Sequence, residues 1–489
     1  MVKKSRLGWH ILFGFISFLL VPWIDNTSSS AQAVNEFCQL SPAAVREKEN
    51  LRIASFKGDK SAQSRYQNLL KQHAQIIRDC RRRTWPQNQA VWLRLYPCDI
   101  AGGAIEQIMD RVVNQGYNQV YVETFYDGRV LLPLRSNPTV WPSVIQTAGA
   151  EHVDLLATAI QRGRERGLKV YSWMYTTNFG FSYAQREDRE DVIARNGKGQ
   201  TSLYVVDNGT QVFIDPYHPQ ARRDYYLMVQ EVLRRRPDGI LFDYIRYPRQ
   251  AGTNSIATRV TDLWLYSPAT QQALLQRVQN RKGWELVRRF LAQGYVSASD
   301  INQVDQLFPQ EGEPMWQGRT QNSSKALTNA QRQPQLQWDL WQLSVAHTMQ
   351  GIVDFLEMAA YPAQQLGIPA GAVFFPYGNQ IVGRGYDSRL QPWDRFPRNL
   401  EFHAMSYANC GSHTCITDEV QRVVNTVRPG TKVIPAIAGN WGTSIGNRPP
   451  LEVQMRALRR YANRIEGISH FAYSWQFPQH DRDRKFCRI

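Results

Sequence analysis

Asp243 lies in the stretch GILFDYIRYPR (residues 239–249), behind the apolar run Gly239-Ile240-Leu241-Phe242 and in front of Tyr244, Arg246 and Tyr247. Taking an ionised carboxylate out of water costs several kcal/mol unless it is paired. The residue is therefore expected either to pair with Arg246 or to perform chemistry that needs a charge there. A second acid, Glu123 in VYVETF, is placed by the period of two on the same strand face as Tyr121 and Phe125. Two such carboxyls suit cleavage of a glycosidic bond. One protonates the leaving oxygen, and the other acts as nucleophile, base or charge opposite an oxocarbenium-like transition state. The competing reading of Glu123 is a polar residue of a packed layer bound to a neighbouring arginine.

Aromatic residues surround these acids in the pattern, and sugar rings stack their apolar faces on such side chains. Trp173, Tyr244, Tyr407, Trp441 and Trp475, with Arg246, are the candidate substrate-binding residues. Trp173 and Trp475 alternate with apolar neighbours, which also fits a core, whereas Tyr407 and Trp441 are followed by small or polar residues, as platforms would be. Asp215 and His218 in FIDPYHP are candidates for holding sugar hydroxyls. The same motif starts helices well, with Pro219 suited to a first helical turn. Asp387 and Asp394 sit in a Gly-rich loop, where an acid could close over substrate or simply make a turn. Gly442-Thr443-Ser444-Ile445-Gly446 matches the G-x-S-x-G elbow of serine esterases. Pro449 and Pro450 intervene before the next helix, however, and no Asp lies between Ser444 and His480. The segment RNGKG lacks the spacing of a phosphate loop.

Something must bring these residues together. From Val91 onward, short β-branched and aromatic runs alternate with amphipathic helical patterns, the signature of βα units around a parallel sheet. The strand candidates are Val91 to Tyr96, Gln119 to Phe125, Lys169 to Tyr175, Gly239 to Ile245, Ala372 to Tyr377, Phe402 to Tyr407, Lys432 to Ala438 and Ile468 to Trp475. Eight strands with intervening helices predict an α/β fold, a (β/α)8 (TIM) barrel spanning about residues 89–480. An N-terminal helical extension occupies 34–88, with a helix start at Ser41-Pro42. A long polar insertion of about 250–337 follows strand four, and 481–489 forms a C-terminal tail. In such a barrel, chemistry belongs to the C-terminal strand ends.

The chain has 489 residues, 43% of them hydrophobic and 11% aromatic, which excludes a disordered protein. Residues 1–33 carry Lys3, Lys4 and Arg6, then an apolar run to Val21, then Ala31-Gln32-Ala33, and read as a secretory signal cut after Ala33. Pro22 and Asp25 leave that run short of the roughly 20 residues a spanning helix needs. The expected location is secreted or periplasmic, with no transmembrane span after cleavage. Six cysteines in an exported chain permit disulfides. Cys410–Cys415 is the first expectation and Cys38–Cys80 the second. None has zinc-ligand spacing, and no metal or other cofactor is expected. The net charge of +16 suits anionic wall polymers or phospholipid head groups, or is a solvated basic face with no specific partner. The arginines are too scattered to point to nucleic acid.

The stretches RGLKVYSWMYTTNFGFSYAQRE, FIDPYHPQARRDYY and RRRPDGILFDYIRYPR resemble the bacterial glycosyl-hydrolase-like family 10, across about residues 90–478. The most specific part is D-G-I-x-x-D-Y-x-R-Y-P. The resemblance implies an extracellular (β/α)8 enzyme acting on polysaccharide, with peptidoglycan strands within the substrate class. By that similarity Asp238 and Gly239 lead the fourth strand, and Asp243 falls on the strand-end acid. Tyr244 stands where many relatives carry a second Asp. The familiar pair of glutamates ending strands four and seven is absent, since these ends read Asp243 and Gly439-Asn440-Trp441. The expectation is an exported glycoside hydrolase with Asp243 and Glu123 as catalytic carboxyls. A non-catalytic glycan- or cell-wall-binding protein on the same barrel is the first alternative, and a serine esterase using Ser444 the second.

Overall fold

Eight runs of β-branched and aromatic residues become the parallel strands β1 (Asn88–Arg94), β2 (Gln119–Tyr126), β3 (Lys169–Tyr175), β4 (Gly239–Asp243), β5 (Ala370–Phe374), β6 (Glu401–Ser406), β7 (Ala436–Ala438) and β8 (Gly467–Phe471) in a computed structural model. The structure describes residues 34–205, 209–320 and 327–488, so the expected signal segment lies outside the described residues. β1 pairs with β2 through Ala90↔Gln119 to Arg94↔Glu123 and with β8 through Asn88↔Gly467 to Val91↔His470, which closes the sheet into a barrel. Strands covered on both faces read as nearly continuous apolar runs, and β2, β4 and β5 are buried along their whole length.

The interior is aromatic and polar rather than aliphatic. Trp92 packs edge-on against Tyr121 and Trp173 and donates its indole N–H to Ser469 at 3.0 Å. Gly239 and Gly371 make room for this content, because a Cβ at either would collide with the ring of Tyr171 or with Leu241 and His403.

Strand limits match those expected in β3 and differ in the other strands, by one residue in β2 and β6 and by more elsewhere: β4 ends at Asp243 rather than Ile245, and β5 runs Ala370–Phe374 rather than Ala372 to Tyr377. β1 starts earlier, at Asn88, and ends at Arg94, because Pro97 and Asp99 turn the chain at Tyr96, whose backbone N–H donates to Asp99. The β7 ladder is confined to Ala436–Ala438, since Pro435 has no N–H to give. β8 stops at Phe471, and Trp475 falls in a short helix, Tyr473–Gln476.

The outer helices are α1 (Pro42–Phe56), α2 (Lys60–Arg83), α3 (Ala104–Asn114), α4 (Leu155–Glu165), α5 (Pro219–Leu233), α6 (Pro268–Leu275), α7 (Arg281–Gln293), α8 (Ala298–Leu307), α9 (Asn329–Gln365), α10 (Thr414–Thr426), α11 (Leu451–Leu458) and α12 (Pro478–Lys485). The N-terminal extension is the hairpin α1–α2, capped by Ser41 and Asp59 as Ser-Pro and Asp-Lys starts should be. It is tied down by Cys38–Cys80 and by a buried cluster. Asp110 of α3 accepts from Tyr66 at 2.7 Å and from Arg166 at 2.8 Å, with Lys48 3.9 Å away. Burial lowers the Lys48 ammonium to about 8.

The insertion after β4 contains α6, α7 and α8. Its expected end, about 337, falls inside α9, the 37-residue helix that returns the chain to β5. The expected tail is folded as well. Arg484 of α12 is buried, paired with Asp99 at 2.6 and 2.8 Å and with Asp481 at 3.1 Å, and Cys487 is bonded to Cys98. The third disulfide is Cys410–Cys415, so both expected pairs are present. Among the described residues no helix is long and apolar enough to cross a membrane.

Candidate active site

Asp243 ends β4 in the barrel mouth and is buried. Its Oδ2 accepts the Trp173 indole N–H at 3.1 Å and its Oδ1 accepts the Tyr244 backbone N–H at 2.6 Å. Burial pushes the carboxyl up to about 6, with these donors and Arg246 opposing the shift. Of the two readings of Asp243, the ion pair with Arg246 does not form. Arg246 instead donates to the Tyr247 carbonyl at 2.9 Å and lies over the rings of Tyr244 (4.5 Å), Phe213 (5.4 Å) and Phe375 (5.7 Å). The physical reason lies in the turn: Tyr244 takes a left-handed φ of 53°, uncommon for a bulky residue. That turn swings the chain away from the carboxylate, and Thr177 holds it there by contacts to the carbonyls of Tyr244 and Arg246 at 2.5 and 2.6 Å. It also sets the Tyr244 ring 4.1 Å from that of Tyr175.

Glu123 points into the barrel, buried, and is bound in bidentate fashion by Arg94 through Nε and, at 3.0 Å, Nη2. Burial lifts this carboxyl while the guanidinium opposes the shift. Arg94 also reaches Asp127 at 3.6 Å and lies 4.3 Å over the Tyr126 ring. The expected face-sharing of Glu123 with Phe125 fails at a β-bulge. Glu123 pairs with Trp173 but Phe125 with Met174, so Thr124 is the extra residue. Phe125 then packs outward on Trp141, and Tyr126 takes the inner position. A bulge of this kind has no reliable signature in one sequence.

The remaining expected residues divide. Trp173, Tyr175, Tyr244, Tyr407, Phe471 and Trp475 line one aromatic wall. Phe471 contacts Trp173 at 6.4 Å, Tyr407 at 5.5 Å and Trp475 at 6.1 Å. Burial raises the Tyr407 phenol, and the Asp243 carboxylate adds to the shift. Trp441 is elsewhere, packed between Phe37 and His470 and donating to Tyr117 at 3.3 Å. Asp215 is fully buried and accepts from Tyr217 N at 2.8 Å and from Thr270 N and Oγ1 at 2.9 and 2.5 Å, which fastens α6 to the loop before α5. His218 caps α5 by accepting from Gln220 N at 3.1 Å. Asp387 pairs with Arg389 at 2.7 Å, and Asp394 accepts from Asn379 at 2.7 Å. Ser444 is exposed in an irregular loop, while His480 is taken by Tyr473 and Gln107 at 2.9 Å each, so no elbow or Ser–His pair is built.

One acid escaped the sequence reading. Glu419, half-buried in α10 just beyond the end of β6, accepts the Ala408 N–H at 3.0 Å. Burial raises it to about 7, against the fields of Arg448 and Arg389. Arg448 donates to the Tyr407 carbonyl at 2.7 and 3.0 Å and lies 5.8 Å over Trp475, so Glu419 stands beside the same aromatic wall. In sequence, ITDEVQRVV reads only as an amphipathic helix with a polar face, and nothing distinguishes this glutamate from Asp418. Among the described residues no group of three or more His, Cys, Asp or Glu side chains is arranged to hold a metal ion.

Fold and mouth together define a closed (β/α)8 barrel whose C-terminal end gathers two carboxyls of raised pKa, a carboxylate–guanidinium pair and stacked aromatic rings. Residues 99–298 match the family model described as glycosyl hydrolase-like 10, a stretch that runs from the end of β1 into α8 and includes Asp243 and Glu123. No curated protein matches the sequence. Among solved structures, the chain is similar to a GH20 exo-β-N-acetylglucosaminidase from Vibrio harveyi (10% identity, TM-score 0.40), covering 79% of this chain and 50% of that one. It is also similar to a GH18 chitinase from Pseudoalteromonas aurantia (8% identity, TM-score 0.36, 82% and 98% covered) and to a maltogenic α-amylase from Thermotoga neapolitana (10% identity, TM-score 0.37, 79% and 66% covered). The chain thus spans about half the length of the Vibrio enzyme.

Proposed function

We propose that the protein is an exported glycoside hydrolase that cleaves O-glycosidic bonds of an extracellular or cell-wall polysaccharide, peptidoglycan glycan included. The observation that carries this reading is Asp243, a buried carboxylate at the mouth that is held by two N–H donors and left without a cationic partner. A charge maintained at such a cost and flanked by stacking rings fits an anion set against a developing oxocarbenium ion. Export is supported by three disulfides, which persist in oxidising compartments, and by the composition of residues 1–33.

The roles follow from the environments. Two donors stabilise the ionised form of Asp243, so it serves as nucleophile or base. Glu419 has one donor, remains protonated up to about 7 and is half-exposed, so we assign it the proton delivered to the leaving oxygen. Glu123 was the expected donor, yet its bidentate hold on Arg94 leaves little reason for it to release a proton to substrate, and it fits better as a neutralised floor of the site. In the forward step, Glu419 gives its proton to the departing sugar oxygen as the glycosidic C–O bond breaks. Asp243 either forms a bond to the anomeric carbon or takes a proton from attacking water. Carboxylate separation selects between these outcomes, about 5 Å for retention and roughly 6.5–9.5 Å for inversion.

The test is release of reducing ends from a panel of cell-wall polysaccharides by parent, Asp243→Asn and Glu419→Gln proteins. Loss in both variants supports the assignment. Retention of parent activity in Glu419→Gln, with loss in Glu123→Gln, returns the proton to Glu123. Tight glycan binding by the parent with no turnover identifies a binding protein instead.

A further inference from the structure

At the opposite end of the barrel, three chain segments that lead into neighbouring strands line a half-open cavity of about 790 Å³. Residues 82–87 precede β1, residues 427–431 precede β7 and residues 459–466 precede β8. Five arginines line it: Arg82, Arg83, Arg428, Arg459 and Arg464. The one acid in the lining is Glu466, which forms no ion pair among the described residues.

All five are exposed, and few of their donors meet a protein acceptor. Arg82 has an exposed partner, Asp79, at 3.2 Å, and Arg464 reaches the Val424 carbonyl. Arg83, Arg428 and Arg459 have no side-chain acceptor among the described residues, and the indole N–H of Trp85, also in the lining, is buried without a partner. Three helices, α2, α10 and α11, end at this face, and cations at helix C-termini are modestly stabilised. That effect accounts for an arginine per helix end. It does not account for five lining one hollow beside a single acid, where the concave wall concentrates the field.

We propose that this cavity binds a multiply phosphorylated anion. Guanidinium forks match phosphoryl oxygens in bidentate fashion, and several in one concavity favour a ligand with more than one phosphoryl group over a single carboxylate. The site lies at the strand N-termini, away from Asp243, so it anchors or orients the protein rather than taking part in bond cleavage.

The test is calorimetric titration of the full chain with inorganic tripolyphosphate at two salt concentrations. It is run for the parent, for Arg428→Gln/Arg459→Gln and for Arg395→Gln/Arg398→Gln, a charge-matched control on exposed arginines elsewhere. The expected result is saturable binding that weakens with salt, falls at least tenfold in the first variant and is unchanged in the control. A parallel arm measures retention on vesicles containing cardiolipin, whose headgroup carries two phosphates. Retention that needs Arg428 and Arg459, and that tripolyphosphate competes away, makes the source a lipid headgroup; tripolyphosphate binding without retention makes it a soluble phosphate. No binding, equal loss in both variants, or equally tight binding of polygalacturonate overturns the proposal.

Discussion

Replacing Trp173 with Phe removes the hydrogen bond to Asp243 while keeping an aromatic ring on the side of Trp92, 4.8 Å away in the parent. The indole N–H donates to the ionised form of the carboxyl, so its loss disfavours that form and must raise the pKa above its present value of about 6. A hydrogen bond to a charged group contributes about 1.5–3 kcal/mol, and one pKa unit corresponds to about 1.4 kcal/mol, so the shift expected is about one to two units. The Tyr244 N–H and entering water hold it toward the lower figure. At pH 6.5 the ionised fraction of Asp243 then falls from roughly three quarters to a quarter or less. Carboxyl ¹³C titration of aspartate-labelled protein reads this without a substrate, with the Asp243→Asn spectrum identifying the resonance. A pKa unmoved by more than a few tenths, in a variant with parent-like near-ultraviolet circular dichroism, refutes the hydrogen-bond reasoning.

Other outcomes follow from the same geometry. Asp243 must be ionised, so kcat/KM rises with pH through about 6; Glu419 must be protonated, so kcat/KM falls as pH passes about 7. The two limbs leave at most about 0.6 of the protein in the working form, near pH 6.5. Glu419→Gln is expected to abolish the basic limb and to lower kcat/KM by about 10²–10⁴-fold, least for substrates with good leaving groups. Glu123→Gln leaves the partly exposed Arg94 with Asp127 as its remaining carboxylate and is expected to cost on the order of 1 kcal/mol of stability, seen as a lower denaturant midpoint, with a smaller loss of activity than Glu419→Gln. Asp110→Ala leaves Arg166 and Lys48 buried without their carboxylate, and about 3–5 kcal/mol should be lost in denaturant unfolding.

The barrel was legible because each strand's apolar run, bounded by Gly, Pro or a helical period, is a local property. The same holds for the α1–α2 hairpin with its Ser41 and Asp59 caps. Asp243 was legible because a charge at the end of a buried run is conspicuous. Its surroundings were not. The left-handed turn at Tyr244, which separates Arg246 from Asp243, and the bulge at Thr124, which sends Phe125 outward, are set by tertiary packing and leave no mark in periodicity. Trp441, platform-like by its small and polar neighbours, packs against Phe37 of the N-terminal segment, whereas Trp475, core-like by its apolar neighbours, joins the aromatic wall of the mouth, because tertiary contacts decide both places. Glu419 was hidden on a polar helix face, and only the approach of α10 to the end of β6 distinguishes it. Arg83, Arg428 and Arg459 looked scattered for the same reason, being far apart in the chain and adjacent only where β7, β8 and β1 begin.

The central claim is that Asp243 works as a catalytic carboxylate, and the most direct measurement compares reducing-end release from cell-wall polysaccharide by the parent and by folded Asp243→Asn protein. The account predicts measurable turnover by the parent and a loss of at least about 100-fold in the variant, with glycan binding retained. Equal rates, or binding without turnover by the parent, would contradict it.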